Sequence, residues 1–170
     1  MGRYRPPAQP KSPYITAQGH QKLSAELEQI WVTRREVVVA LSAAAAEGDR
    51  SENAEYIYRK KQLRELDRRI RYLQKRLPEL KIVNHLPSNT EQVFFGAEVF
   101  LEDDDGKQVC YRIVGPDEFD PACNWISMDS PVAKALMKKC IDDEVSVHTP
   151  GGLLNYVIVD ISYRLTATES

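Results

Sequence analysis

The chain of 170 residues has little cysteine: Cys110, Cys123 and Cys140 are odd in number and contain no C-x-x-C pair. A disulfide framework or a structural zinc site is therefore not expected. Histidine is equally sparse, and His20, His85 and His148 are scattered with no partner at metal-ligand spacing. Long apolar runs are missing too. The longest stretch, Val37 to Ala46, is interrupted by Ser42 and closed by Glu47, which is too short to cross a bilayer. No excess of one charge is present, with 23 basic against 25 acidic residues, and 42% of the chain is apolar. That balance excludes a polyionic tail or a wholly disordered chain. Residues 1–13 carry Arg3, Arg5 and Lys11 but no apolar core for a secretory signal, and Met1-Gly2 lacks the Ser or Thr of a myristoylation motif. A cytoplasmic protein without a membrane partner is the expectation, folded as one ordinary domain or two small ones.

What is present is unevenly placed. Four prolines fall in residues 1–13, none follows until Pro78, and only Gly19 and Gly48 interrupt that gap. Residues 1–13 read as a flexible, proline-rich basic tail. Residues 14–77 read as helix, with Thr16 placed to cap its start. Leu23, Leu27, Ile30, Arg34, Val37, Leu41 and Ala44 recur at spacings of four and three, and so do Tyr56, Arg59, Leu63, Leu66, Ile70, Leu73 and Leu77. Each series is a coiled-coil seam, interrupted by one arginine whose stem can still pack. Two seams joined through Gly48-Asp49 can cover one another only as an antiparallel hairpin, with its tip at 48–53.

Beyond Pro78, prolines and glycines punctuate short apolar runs. Ala97–Leu101, Val109–Val114 and Tyr156–Ile161 read as strands, with Asp103-Asp104-Asp105-Gly106 turning between the first two. Ser130-Pro131 reads as the cap and first residue of a short helix. The predicted fold class is α+β: a coiled-coil hairpin over 14–80, a linker over 81–91, and a small antiparallel sheet domain with one helix over 92–165.

Charge follows the same division. Residues 59–76 hold nine basic residues against Glu65 and Asp67, whereas residues 98–145 hold twelve acidic against five basic. A basic stripe this dense exceeds what solubility requires and points to phosphate or nucleic acid. No aromatic ladder accompanies it, so base-specific readout is not indicated.

The tip, Gly48-Asp49-Arg50-Ser51-Glu52-Asn53-Ala54-Glu55-Tyr56, places two carboxylates three residues apart. One reading is a capping box, with Asp49 as N-cap and Glu52 three residues on, contributing about 1 kcal/mol. The other is half of a Mg²⁺ site, because Mg²⁺ takes one or two carboxylates and completes its octahedron elsewhere. Both readings stand together at this stage.

These residues resemble a known family. The tip GDRSENAEY, the YRKKQLRELDRRIRYLQKRL that follows, LKIV (80–83), FFGAEV (94–99), RIVGPDE (112–118), ISMDSPVAKALMKK (126–139) and TPGG (149–152) look like a bacterial Gre-type transcript-cleavage factor, nearer its GreB branch. The resemblance implies a coiled-coil domain followed by an FK506-binding-protein-like sheet domain. It implies a partner, RNA polymerase, whose secondary-channel rim is met by Asp129, Ser130 and Pro131. The hairpin enters the channel, Asp49 and Glu52 help hold a Mg²⁺ shared with the polymerase, and backtracked RNA is cleaved by the polymerase's own active site. On this basis the chain is no enzyme itself, binds no metal tightly alone, and acts as a monomer. Arg59, Lys60, Lys61, Arg64, Arg68 and Arg69 would run along the 3′ segment of the nascent RNA.

Three rivals remain at the level of sequence. One is a channel-plugging polymerase inhibitor of the same shape, against which both tip carboxylates argue. Another is a prolyl isomerase built on the second domain, where Trp125 is the only tryptophan. The last is a general RNA-binding hairpin, which would bind free RNA with a steep salt dependence.

Overall fold

The computed structural model describes residues 6–164, so residues 1–5 of the expected tail and residue 165 of the expected second domain lie outside the described residues. The chain divides into two compact units, Gln18–Leu80 and a second made of Met1–Ala17 with Lys81–Ser170. In chain order the elements begin with β1 (Tyr14–Thr16), α1 (Ala17–Ala46) and α2 (Ala54–Arg76). There follow β2 (Lys81–Val83), β3 (Ala97–Asp103), β4 (Gln108–Val114), β5 (Trp125–Ser127), α3 (Pro131–Leu136), β6 (Glu144–Thr149) and β7 (Gly152–Tyr163).

The first unit is the helical hairpin. At about 1.5 Å per residue its arms are about 45 and 35 Å long. Every residue of both predicted seams is buried or half-buried, and Val37, Ala44, Ile70 and Leu73 are almost fully so. The arms run antiparallel. Arg69 binds Glu26 through two N–H groups (2.6 and 2.9 Å), Arg34 binds Asp67 at 2.7 Å, and the Asn53 amide reaches the Ala44 carbonyl. Thus Arg34, the residue that interrupts the first seam, closes the gap with an ion pair across the hairpin. α1 ends where Gly48 takes a φ of +130°, a conformation that a side chain would strain.

The second unit is a five-stranded sheet in the order β5-β4-β3-β7-β6, with β4 and β5 parallel and the other pairs antiparallel. The expected antiparallel sheet is present in β4-β3-β7-β6, and β5, a strand the sequence did not indicate, adds to it in parallel. The difference arises because a 3-10 turn at Pro121–Cys123 and a left-handed Asn124 redirect the chain alongside β4. Gly106, at φ +78°, completes the predicted turn between β3 and β4. Alternation puts Ala97, Val99 and Leu101 of β3 on one face with Ile113, Val145, Val147, Ile158 and Ile161, and Ala133 and Leu136 of α3 complete this core. Burying each such large apolar side chain contributes about 1.5–3 kcal/mol. Ser130 caps α3 by accepting from Ala133 N–H, with Pro131 in the first helical position as predicted.

Residues 14–16 are not helical. They form β1, parallel to β2, with Ile15 wholly buried, and α1 starts only at Ala17. The expected linker likewise begins as a strand, because Lys81–Val83 is the partner of β1. Glu118 explains the clasp. Its buried carboxylate accepts from Thr16 N–H (3.1 Å), from the Thr16 hydroxyl and from Gly115 N–H (3.0 Å). Gly115 is required there because a Cβ would collide with the Tyr14 carbonyl. Residues 12 and 13, at the end of the expected tail, are tied down as well: the Pro13 carbonyl accepts from Lys81 N–H at 2.7 Å, and Ser12 binds Asp129.

Candidate functional site: the hairpin apex and its basic face

The apex follows from how the two helices are capped. Asn53, extended at φ −84° and ψ 99°, is the N-cap of α2, and its Oδ1 accepts from Tyr56 N–H at 3.0 Å. Its Nδ2 donates to the Ala44 carbonyl at 2.8 Å, in the last turn of α1. One side chain therefore closes both helices. This corrects the capping-box reading of Asp49 and Glu52: the cap lies at Asn53, whose amide offers both the acceptor that α2 needs and the donor that α1 needs, where a carboxylate can only accept. Asparagine directly before a helical period was the signal in the sequence that would have found it.

Relieved of capping, Asp49 folds onto its own turn. Its Oδ1 accepts from Ser51 N–H at 2.9 Å and from the Ser51 hydroxyl at 2.8 Å. These bonds, the backbone one foremost, hold the carboxyl below the usual carboxylate range, so Asp49 is an anion at neutral pH. Both fall on Oδ1, leaving the lone pairs of Oδ2 for another ligand. Asp49, Arg50, Ser51 and Glu52 are all exposed. The Arg50 and Lys60 charges each lie 5.7 Å from the Tyr56 ring centroid, which places cations beside the acidic turn. Asp49 and Glu52 offer the hard oxygens that suit Mg²⁺, as part of a ligand set. Among the described residues no group of three or more His, Cys, Asp or Glu is arranged to hold a metal.

The basic stripe separates into two kinds of residue. Arg59 is engaged within α2 by Glu55 (2.7 Å) and Gln62 (3.1 Å), whereas Arg69 pairs with Glu26 of α1 and so helps hold the two arms together. Lys60, Lys61, Arg64 and Arg68 are exposed, and Arg71 and Lys75 continue the row. Lys61, Arg64, Arg68, Arg71 and Lys75 recur at spacings of three and four on the side of α2 opposite the seam, which makes one cationic face.

In the sheet unit, Asp129, Ser130 and Pro131 are all at least partly accessible. The Asp129 carboxylate is occupied at both oxygens, by Ser12 N–H (2.9 Å) and by the Ser12 hydroxyl, a contact the sequence did not reveal. The three cysteines are free thiols, as expected. No helix among the described residues is long and apolar enough to cross a membrane.

Two family models match the chain. One, described as "Transcription elongation factor, N-terminal", matches residues 13–82, and the other, "Transcription elongation factor, GreA/GreB, C-term", matches residues 88–163. The chain is 57% identical over 165 residues to Transcription elongation factor GreB of Xanthomonas axonopodis pv. citri, covering 96% of this chain and 98% of that one. It is 55% identical over 164 residues to the GreB factor of Pseudomonas aeruginosa, covering 96% and 98%. The GreB factor of Yersinia pestis is 58% identical over 155 residues, 91% of each chain. The crystal structure of GreA factor homolog 1 of Thermus thermophilus aligns at 24% identity with a TM-score of 0.41, over 89% of this chain and 99% of that one. Matched over both its units, and more than half identical to GreB factors along nearly its whole length, this chain belongs to the GreA/GreB family of transcription elongation factors.

Proposed function

We propose that the chain binds RNA polymerase, inserts the hairpin through the secondary channel and stimulates cleavage of backtracked nascent RNA in the polymerase active centre, in the bacterial cytoplasm. It contributes carboxylates to that centre and is not itself a nuclease. The observation that carries this reading is the apex: Asp49 is exposed, held ionised by Ser51, and keeps one oxygen free, on a turn clamped from both helices by Asn53.

When bound between polymerase and tip, a Mg²⁺ ion would supply Lewis-acid activation of water for phosphodiester hydrolysis. What the chain itself does is local. Ser51 holds the Asp49 carboxylate through Oδ1, which keeps Oδ2 available as a ligand. Glu52 presents a second oxygen donor on the same turn. Lys60, Lys61, Arg64 and Arg68 attract the phosphates of the extruded RNA toward that turn. Asp129, Ser130 and Pro131 meet the channel rim, and Ser12 sets the orientation of the Asp129 carboxylate.

The test is RNA cleavage in stalled, backtracked elongation complexes with wild type, Asp49→Asn and Glu52→Gln, alongside polymerase binding and helicity. Neither residue caps a helix, so both variants leave the fold intact. Removing a direct metal oxygen is expected to cost at least the 10–100-fold, roughly, that outer-shell changes cost. Loss of cleavage with unchanged binding supports the proposal. Near-normal cleavage overturns it and favours a factor that only occupies the channel.

A further inference from the structure

Arg112, on β4, is the polar residue of the sheet unit that its own surroundings do not satisfy. It is 8% exposed, and its buried Nε has no hydrogen-bond partner among the described residues. Its guanidinium lies 4.9 Å from the Trp125 ring centroid, an attraction to the ring face that gives the Nε–H donor no acceptor. A buried cation without an acceptor is costly. The carboxylate that should answer it is Glu98, directly opposite in register on β3. Glu98 is already taken by Arg164 at 2.6 Å and by the Ser162 hydroxyl at 3.3 Å. Glu118, the buried carboxylate of this unit, is committed to Thr16 and Gly115.

Arg112 borders a cavity of about 50 Å³, with Thr16, Asn84, His85, Phe95 and Arg164 among its other walls. The walls offer donors on Arg112, Asn84 and His85, with Thr16 and Arg164 already engaged by Glu118 and Glu98; no carboxylate among the described residues lines the space, and the volume admits one small group or a few waters. We propose that this cavity binds a single small oxyanion, the carboxylate or phosphate group of a ligand, with Arg112 as its main anchor.

The test uses the full chain and needs neither polymerase nor RNA, so its outcome is separate from that of the cleavage assay. Arginine Nε–Hε resonances are followed by NMR at fixed pH and ionic strength while chloride is replaced by sodium acetate or inorganic phosphate. Loss of a resonance in Arg112→Lys assigns the signal. A saturable shift of that signal with either oxyanion, absent in chloride, is the expected result, and acetate against phosphate identifies the source. Calorimetry on Arg112→Lys should show binding at least about tenfold weaker, since an ammonium cannot present the guanidinium fork. Should that variant fail to fold, Asn84→Ala with His85→Ala, both at exposed positions, should weaken binding with the Arg112 signal still visible. No saturable shift, or an equal response to chloride, overturns the site and leaves Arg112 facing water.

Discussion

Asp49 at the hairpin apex and Glu118 in the sheet unit both accept hydrogen bonds from backbone N–H groups, yet they are put to opposite uses. Glu118 is buried, and three donors divide its two oxygens: Thr16 N–H and Gly115 N–H on one, the Thr16 hydroxyl on the other. Asp49 is exposed, and its two bonds from Ser51 share one oxygen. A saturated carboxylate fastens backbone to backbone. A half-saturated one is held in place and ionised while a ligand position stays open. The difference shows that an acceptor's function depends on how its lone pairs are distributed, beyond how many bonds it makes.

Breaking the fastened side of this comparison should give the largest stability effect. Glu118→Ala strands two backbone N–H groups and a hydroxyl, each costing about 1–3 kcal/mol when buried without a partner. Even with water entering, a loss of about 3 kcal/mol is expected by urea denaturation. A loss below about 1 kcal/mol would mean that the β1–β2 pairing, and not Glu118, holds the clasp.

The apex should lose less. Asn53→Ala removes the cap of α2 and the bond to the Ala44 carbonyl, an expected cost of about 1–2 kcal/mol. Asn53→Asp separates the two contributions, because it keeps the acceptor for Tyr56 N–H and loses the donor to Ala44. The aspartate variant should fall between wild type and alanine by thermal denaturation. If it matches wild type, the amide donor adds nothing and Asn53 caps α2 alone.

What the sequence made legible, and what it hid, follows the range of the interactions. Both helical seams could be read because a period of three and four is local, and every seam residue is at least half-buried. Ser130-Pro131 and the Asp103–Gly106 turn were legible for the same reason: cap and turn chemistry act within a few residues. The clasp was hidden. β1 and β2 are three residues each, too short for any period, and the Thr16–Glu118 and Ser12–Asp129 bonds span 102 and 117 residues. At the apex Asp49 and Asn53 are equally good caps by propensity, and the choice fell to Asn53 through its second bond to a carbonyl of the other helix. That Asp49 and Glu52 lie exposed at the tip was legible from the two seams and the break between them. Which oxygen of Asp49 stays free depends on the turn geometry and was not.

The smallest effect sharpens the comparison most, because it isolates how Asp49 is held. Its carboxyl is depressed first by the Ser51 N–H bond and second by the Ser51 hydroxyl, against a slight upward push from desolvation. A carboxyl lowered in the folded state contributes stability above its unfolded pKa and loses it as pH falls through the folded pKa. At neutral pH Asp49 is therefore ionised in both states, and its proposed part in cleavage should fade on the acid side at a lower pH than an unperturbed aspartate would set. Ser51→Ala removes the hydroxyl bond and keeps the larger backbone one. The Asp49 pKa, followed by carboxyl-carbon NMR titration, should rise part of the way toward its ordinary value and stop short of it. A full return would show that the hydroxyl orders the whole turn, and the backbone bond exists only with its help. No rise at all would remove the Ser51 hydroxyl from the site, leaving the orientation of Oδ2, on which the proposed metal-ligand role depends, to the Ser51 backbone N–H alone.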